Sequence, residues 1–208
     1  LKLFKVMDMP THQNNKANFH YQLYGTGNDV IVFIAGYTCG IEQFREQADA
    51  LSKTHRVLIF DNQAIGQTTD NNEALTIDQM AENTHQLLSA LSLTPVSIVA
   101  YAMGTFIALA LARRHPQSVC KLVLIGGVIT FSDQAKTAIN RLFYLRQSAA
   151  KKQLYKTLYE QCFGSRFKAR VSCDQFTTEM TQARELQSVF DQQRQLQALL
   201  AFNANEWV

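Results

Sequence analysis

The stretch Ser97–Ala108 carries the pattern that points most directly to chemistry. A run of apolar, β-favouring residues passes into a helix-favouring run with no loop between them, and the junction falls at Ala102. Small residues stand two positions before and two positions after it, at Ala100 and Gly104. This is the spacing of a nucleophile elbow, a strained strand-to-helix turn that needs small neighbours. The pattern therefore predicts a site built for nucleophilic catalysis at position 102.

The chemistry of such a turn depends on the side chain at its centre. A serine there attacks an acyl carbonyl, a histidine takes the serine's proton, and an acid orients the histidine. Two backbone N–H groups hold the negative oxygen that forms, and each donor contributes about 3 kcal/mol. Ala102 has no lone pair with which to attack. We therefore expect the chain as written not to perform acyl transfer, although backbone donors would survive the change of side chain.

The elements that must position this turn read as unbroken apolar runs separated by helix-like spacing of apolar residues. Unbroken apolar runs are typical of strands buried on both faces of a parallel sheet. The sequence therefore predicts an α/β fold, with a mostly parallel sheet and flanking helices. An antiparallel hairpin of Leu1–Met7 and Phe19–Tyr24 is expected at the sheet edge. The predicted buried strands are Val30–Ala35, Arg56–Phe60, Val96–Tyr101 and Lys121–Ile125.

Together with the elbow, three further segments in the right order resemble motifs of the α/β-hydrolase family. Gly36–Tyr37, after the first buried strand, resembles the oxyanion turn, with Ala35 in place of the usual histidine. Residues 61–68 (DNQAIGQT) resemble D-x-R-G-x-G-x-S without its arginine, and residues 113–125 resemble a helix end and the next strand. The resemblance covers roughly residues 19–132 and implies the family's fold and acyl-transfer chemistry.

The same resemblance implies roles for individual residues. Ala102 occupies the place of the nucleophilic serine, and the oxyanion donors would be the backbone N–H groups of Met103 and Tyr37. The family carries its acid and its histidine after later strands. None of the histidines present occupies that place, so each is expected to be structural or at the surface, and no acid is assigned. These histidines are His12, His20, His55, His85 and His115.

The alanine at position 102 has two explanations. It either replaces a serine in a variant made to trap a substrate, or belongs to a natural protein that lacks the nucleophile. The small residues Ala100 and Gly104 favour the first explanation, because random mutation after the loss of activity would be expected to replace them by larger residues as well. The missing arginine of the 61–68 motif favours the second.

Two more strand–helix units would supply the missing histidine and acid. They would need about 45 to 60 residues, given typical lengths of strands, helices and loops. We therefore expect the final strands of the sheet to lie outside this chain, or a second polypeptide to complete the sheet.

The sequence changes character after Phe131. Between Asp133 and Asn203 almost every residue permits a helix, with no proline and Gly164 as the only glycine. A block of helices after a βαβ core is typical of an inserted cap. We therefore expect residues 1–132 to form the N-terminal part of the core and residues 133–208 to form a helical cap. The candidate cap helices are Asp133–Gln147, Lys151–Phe163 and Glu185–Phe202.

The predicted cap is strongly basic. Eight basic residues and the single acid Glu160 lie between Arg141 and Arg170, which gives this stretch +7 against +3 for the whole chain. Such a stretch is either a solvated helix face or a docking surface for an anionic partner. Nucleic acid is not expected, because no recognised nucleic-acid motif accompanies the charge. A membrane surface is a second possible anionic partner, reached through the apolar side of residues 142–145.

An acidic acyl carrier protein is the sharper hypothesis. Within the family, the esterases that cleave pimeloyl-carrier-protein methyl ester in biotin synthesis have a basic cap and a bulky aromatic residue after the oxyanion glycine. Tyr37 and the basic stretch are similar to these features. The resemblance implies a small acyl ester as substrate, with Tyr37 and four basic residues as substrate or partner contacts. The four are Arg141, Arg146, Lys151 and Lys152.

Composition excludes several other classes of protein. With 208 residues, 47% hydrophobic and 18% charged, the chain can bury a core and is not disordered. The longest apolar stretch, 96–112, is interrupted by polar residues and glycine, so no transmembrane segment is expected. Four dispersed cysteines match neither a metal site nor a disulfide framework, which favours a reducing cytoplasm and no metal or other cofactor.

Three functions fit these observations. The first is a carboxylic-ester hydrolase that lacks its nucleophile in this chain. The second is another hydrolase of the family, which opens lactones or cleaves C–C bonds at the same turn. The third is a hydrolase-fold protein that binds a ligand without turnover.

Overall fold

The computed structural model describes residues 13–14, 17–148, 150–183 and 185–207. Within these ranges the strands are β1 Gln13–Asn14, β2 Ala17–Asn18, β3 Tyr21–Tyr24, β4 Val30–Ile34, β5 Arg56–Phe60, β6 Thr69–Asp70, β7 Val96–Tyr101 and β8 Val119–Ile125. The α-helices are α1 Arg45–Leu51, α2 Ile77–Ala90, α3 Met103–Arg114, α4 Asp133–Gln147, α5 Lys151–Cys162, α6 Ser165–Lys168, α7 Cys173–Gln182 and α8 Val189–Ala201. Short 3-10 helices lie at Ile41–Phe44, Pro116–Ser118 and Asn205–Trp207.

The main sheet has five strands in the order β3-β5-β4-β7-β8. The last four of these run parallel to one another, and β3 runs antiparallel to β5. The four buried strands predicted from apolar runs are all present, each within two residues of its predicted ends. The predicted α/β fold with a mostly parallel sheet is therefore confirmed.

The edge strand β3, which lies next to β5, agrees with the prediction in part. Tyr21–Tyr24 forms the antiparallel edge strand, with Tyr21 opposite Phe60 and Tyr24 opposite Val57. Its predicted hairpin partner, Leu1–Met7, lies outside the described residues. The partner that the structure shows for this strand is β5, because the antiparallel ladder runs along the whole of β3.

Parallel order brings three strand ends together. The carboxyl ends of β4, β5 and β7 lie at the same end of the sheet, since β4 pairs with both of the others in parallel register. Val32, Leu58 and Ile98 lie buried at the centre of these strands. The helix α2 begins where Thr76 accepts a hydrogen bond from the backbone N–H of Gln79, at 3.1 Å, as the capping pattern predicts.

The strand β8 differs from its neighbours because its side chains are largely exposed. Val123, Leu124 and Ile125 expose 52%, 41% and 44% of their surface. Apolar side chains of a parallel strand are normally covered on both faces. The face of β8 is therefore an uncovered apolar surface within the described residues.

The described residues fall into two compact units. One contains the residues up to Thr130 together with those from Leu186 onward, and the other contains Phe131–Glu185. This division differs from the expected cap of residues 133–208, because α8 belongs to the unit that holds the sheet. The physical reason is a set of hydrogen bonds from side chains of the α8 region to the loop after β5. In these, Gln187 Nε2 donates to the carbonyl of Ala64 and Gln195 Nε2 to that of Gln63, at 2.7 and 2.6 Å.

The second unit is helical. Its α4 and α5 agree closely with two of the predicted cap helices, and α6 and α7 are additional helices that sequence periodicity did not indicate. Tyr159 is buried here, and its hydroxyl donates to the carbonyl of Val171 at 2.8 Å. Aromatic rings of Phe163, Phe167 and Phe176 pack around it. No helix in the described ranges has the length and apolar content to cross a bilayer.

Candidate active site

The junction between β7 and α3 holds Ala102 in an unusual backbone conformation. Its φ is 48° and its ψ is −116°, a region that residues with a Cβ rarely occupy. The backbone N–H of Ala102 donates to the carbonyl of Ile125 at 2.9 Å, and its carbonyl accepts from the N–H and the hydroxyl of Thr105 at 3.0 and 2.6 Å. The hydrogen bonds on both sides hold the strained residue in place, as a nucleophile elbow requires.

The small residue Gly104 is required by close packing of α3 against β4. A Cβ at position 104 would overlap the carbonyl oxygen of Ile34 and come within 2.8 Å of that of Ala35. Both are backbone atoms that cannot rotate away. Ala100, on the other side of the junction, is fully buried. The glycine found by spacing at position 104 therefore has a steric reason, which is the close approach of strand and helix.

The turn after β4 packs directly on the elbow. A Cβ at Gly36 would lie 3.1 Å from the ring of Tyr101 and 3.3 Å from the Cβ of Ala102. The N–H of Gly36 donates to Oε1 of Gln43 at 2.9 Å, so this donor is already engaged. Tyr37, the predicted donor of this turn, is the next residue.

The second predicted oxyanion donor belongs to the first turn of α3. Met103 begins this helix and is buried. The first N–H groups of a helix have no partner within the helix, and the helix dipole makes them attractive to a negative oxygen. Ala102 and Met103 follow β7 and Tyr37 follows the parallel strand β4, so the three residues lie at the same end of the sheet. The assignment of the two backbone donors to an oxyanion hole stays a prediction.

Histidines in the described part of the chain lie away from position 102. The Nδ1 atom of His20 lies 2.7 Å from Oδ2 of the buried Asp61, which resembles the histidine–acid pair of a hydrolase. However, β3 is three strands from β7, about 14 Å at normal strand spacing. His20 is therefore too far away to take a proton from residue 102.

The other described histidines lie toward the opposite end of the sheet. His55 immediately precedes β5, and His115 follows the last residue of α3, about 18 Å along the helix from Met103. The ring of His85 stacks on that of His115 with centroids 3.7 Å apart. These positions agree with the expectation that the histidines are structural or at the surface.

Sequence reasoning missed the buried amide side chains of the α8 region. Gln192 and Gln195 are buried, and the carbonyl of Gln192 accepts a hydrogen bond from the hydroxyl of Tyr37 at 3.2 Å. The ring of Tyr37 is thus tied to α8. The sequence feature that could have indicated their burial is the spacing of Gln192 and Gln195, three residues apart and beside the apolar Leu196 and Leu199. Such spacing does not distinguish buried amides from a polar helix face.

The four basic residues predicted to bind a partner all lie in the helical unit, on α4 and α5. Arg141 and Lys152 are exposed, and Lys151 forms a salt bridge with Glu185. That bond lowers the pKa of the Glu185 carboxyl, with further help from the positive charge of Arg146. Arg141 also lines a shallow groove on α4 with Thr137, Asn140, Tyr144, Leu145 and Ser148.

A model of the family described as alpha/beta hydrolase fold matches residues 29–197. The chain belongs to the α/β-hydrolase fold family. The resemblance drawn from the four motifs is thereby confirmed for the family, and the matched range extends through α8.

Curated relatives and solved structures agree with this assignment. RutD of Enterobacter cloacae, named as a proposed carbamate hydrolase, is 31% identical over 122 residues, which are 58% of this chain and 44% of the relative. RutD of Azorhizobium caulinodans is 26% identical over 119 residues, covering 57% of this chain and 44% of the relative. The matches therefore span less than half the length of these relatives.

Among solved structures, the enol-lactonase of Burkholderia xenovorans is similar with a TM-score of 0.75 and 18% identity, over 90% of this chain and 72% of the lactonase. A thermophilic esterase of Thermogutta terrifontis gives a TM-score of 0.72 and 16% identity, over 90% and 69% of the two chains. At these identities the structures support the fold and do not specify a substrate.

Proposed function

We propose that the whole protein is built as a carboxylic-ester hydrolase in which position 102 is that of the nucleophile. The observation that carries this proposal is the strained conformation of Ala102 at the β7–α3 junction, with Gly36 packed on its side chain. Strain of this kind costs about 1 to 3 kcal/mol and is kept where a turn must present one side chain. In this chain Ala102 leaves the site without a nucleophile, so the chain binds an acyl ester without cleaving it.

The reaction expected of a serine at position 102 is ordinary acyl transfer. The hydroxyl oxygen attacks the ester carbonyl, the alcohol leaves, and water then releases the acid. The N–H groups of Met103 and Tyr37 hold the oxyanion in both steps. Since none of the described histidines can reach position 102, the proposal requires a histidine from outside the described residues, and no acid is assigned. It requires no cofactor.

The substrate we favour is a pimeloyl methyl ester carried by an acidic acyl carrier protein. Two observations support it: the aromatic Tyr37 after the oxyanion glycine, and the exposed cations of α4 and α5. A helical surface with this charge attracts an acidic partner through long-range electrostatics. A role in biotin synthesis in the cytoplasm would follow, and both stay predictions.

A second candidate function comes from the relatives. Their names propose carbamate as a substrate, and one similar fold belongs to an enol-lactonase. A carbamate or a lactone is attacked at its carbonyl by the same kind of turn. A third candidate is a protein that binds its ligand and never turns it over, for which Ala102 would be the natural residue.

The deciding experiment restores the nucleophile. Ala102→Ser in the full-length protein should hydrolyse an acyl ester, with kcat higher than that of the Ala102 protein by about 10⁴-fold or more. Substrates would be p-nitrophenyl esters of several acyl lengths, pimeloyl methyl ester free and carrier-bound, an enol-lactone and a carbamate. Ala102→Thr is the matched control, because it also carries a hydroxyl but its β-branched side chain is disfavoured at the positive φ of position 102.

The pattern of turnover separates the candidates. Preference for the carrier-bound pimeloyl ester supports the favoured substrate, and preference for the lactone or the carbamate supports the second candidate. A folded Ala102→Ser protein that turns over none of these substrates would refute the hydrolase proposal. Tight binding of one of them by such a protein would support the binding function instead.

A further inference from the structure

The carboxylate of Asp61 joins two loops at the catalytic end of the sheet. Asp61 follows β5 and is 2% exposed. Its Oδ1 accepts a hydrogen bond from the N–H of Ile41 at 2.7 Å, and its Oδ2 accepts one from the N–H of Gln67 at 3.0 Å. A buried carboxylate is stabilised by such donors, and charge-assisted hydrogen bonds are the stronger kind. Asp61 thus connects its own loop to the segment that begins at Gly36.

The segment Gly36–Ile41 is the oxyanion turn of the proposed site, and it is held from three sides. The carbonyl of Gly36 accepts from the N–H of Cys39 at 3.2 Å, and its N–H donates to Gln43. The far end of the turn is held by the bond from Ile41 to Asp61. Even the space beside Gly40 is filled by Asp61, because a Cβ there would lie 2.9 Å from Oδ1. The position of Tyr37 within this turn therefore depends on where the Asp61 carboxylate sits.

The orientation of that carboxylate is set in turn by His20. The Nδ1 atom of His20 lies 2.7 Å from Oδ2 of Asp61, and Nε2 lies 3.3 Å from Nε2 of Gln67. Because a carboxylate can only accept, Nδ1 carries the proton that His20 donates to Asp61. One backbone hydrogen bond also joins the two residues, since the N–H of Asp61 donates to the carbonyl of His20 at 2.9 Å.

Given the hydrolase function proposed above, on which this inference rests, we propose that Asp61, oriented by His20, is a positioning residue for the oxyanion turn. It does not touch the substrate. It fixes the end of the turn that carries Tyr37, so that the Tyr37 N–H faces the oxygen whose charge develops during acyl transfer. An oxyanion donor stabilises the transition state more than the bound ester, so the effect falls on kcat rather than on KM.

The first test is kinetic and uses full-length protein with Ala102→Ser. Asp61→Asn replaces Oδ1 or Oδ2 by an NH₂ group, which faces the N–H of Ile41 or Gln67 and repels it. We expect kcat to fall about 10²-fold while KM changes by less than about threefold. Asp70→Asn is the matched control, because Asp70 is a buried carboxylate bonded to Arg194 rather than to the turn. A kcat loss in Asp61→Asn no larger than in Asp70→Asn would overturn the proposal.

A second pair of variants tests the role of His20. His20→Asn keeps an N–H donor near the place of Nδ1, whereas His20→Ala removes it. We expect His20→Asn to retain most of the kcat and His20→Ala to lose about tenfold. Equal values of kcat in the two variants would overturn the role of His20. If Asp61→Asn does not fold, this pair still tests whether the hydrogen bond between His20 and Asp61 supports turnover.

The third test needs no turnover and therefore separates this inference from the proposed function. In full-length protein with Ala102, amide hydrogen exchange of Ile41 should speed up at least tenfold in Asp61→Asn and stay unchanged in Asp70→Asn. Unchanged exchange at Ile41 would overturn the positioning role even in an active enzyme. Faster exchange, together with an inactive Ala102→Ser protein, would support Asp61 as the residue that holds the turn while refuting the hydrolase proposal.

Discussion

Gly36 lies directly against Ala102, so that a Cβ on residue 36 would come within 3.3 Å of the Ala102 Cβ. Gly36 lies two residues after β4 and Ala102 directly after β7, its parallel neighbour, and the two residues are 66 positions apart along the chain. The residues that follow them, Tyr37 and Met103, are the two whose backbone N–H groups we propose as oxyanion donors.

The strained backbone of Ala102 predicts an unusual effect of glycine. Ala102→Gly should raise the free energy of unfolding by about 1 kcal/mol, because glycine adopts a positive φ without the steric cost that alanine has there. Ala100→Gly, in the buried part of β7, should lower it by about 1 kcal/mol. Denaturant unfolding of both variants checks this. Equal destabilisation by the two changes would show that position 102 is not strained.

The buried ion pair of Arg194 and Asp70 predicts a large loss of stability when the arginine is removed. Their side chains are 5% and 2% exposed, and Arg194 also donates to the carbonyl of Glu73 at 2.7 Å. Arg194→Met should lower the free energy of unfolding by about 3 to 5 kcal/mol, since it leaves Asp70 buried without its cation. Lys151→Met, which breaks an exposed pair, should cost less than about 1 kcal/mol. Similar losses of stability in the two variants would mean that water hydrates the Asp70 carboxylate once Arg194 is removed, so that it is not left as an unpaired buried charge.

The stacked histidines between α2 and α3 predict a dependence of stability on pH. Burial, together with the charge of His115, lowers the pKa of His85 below its usual value of about 6.5, although the nearby Glu82 opposes this. The neutral form of His85 is therefore favoured in the folded state. Its contribution is fully present above pH 6.5 or so and is lost as the pH falls through the lower folded pKa.

The contribution of His85 is measured against His85→Phe, a variant that keeps an aromatic ring at this position but cannot be protonated. Between pH 7.5 and 5, the unaltered protein should lose more stability than His85→Phe. The other charged groups near the pair, Asp78, Glu82 and Arg114, are the same in both proteins. Parallel curves of unfolding free energy against pH would contradict the prediction.

The basic helices α4 and α5 predict salt-sensitive binding of an acidic partner. Changing Arg141, Arg146, Lys151 and Lys152 to Glu should weaken binding of an acidic acyl carrier protein by at least about tenfold at low salt. It should also flatten the dependence of affinity on ionic strength. Lys53→Glu, at an exposed site in the other unit, is the control for a general charge effect. Unchanged affinity of the fourfold variant at low salt would exclude this surface as the docking site.

The sheet and the elbow could be predicted from the sequence because local patterns determine them. The four predicted apolar runs form four parallel strands, and Gly104 is the small residue that the packing of α3 on β4 requires. Steric demands of this kind act on neighbours in the chain, so spacing alone reveals them. The motifs, in their order along the chain, then indicated the family.

Contacts between distant segments could not be predicted in the same way. Gln195 looks like a surface residue of a polar helix, yet it is fully buried because its amide bonds to the carbonyl of Gln63. Asp61 was visible as part of a motif, but its bond to the N–H of Ile41 depends on the path of a loop. The helix that carries Gln195 was therefore assigned to the cap although it belongs with the sheet.

The bond between Gln195 and Gln63 bridges 132 positions of the sequence, and the helical unit Phe131–Glu185 lies within that span. The unit that holds the sheet is thus discontinuous, and during synthesis it stays incomplete until the ribosome has passed the whole insert. Closing such a long loop costs entropy that grows only slowly, by about 0.6 kcal/mol for each doubling of length. The insert can therefore gain or lose residues over evolution at little cost to the folding of the unit that carries Ala102.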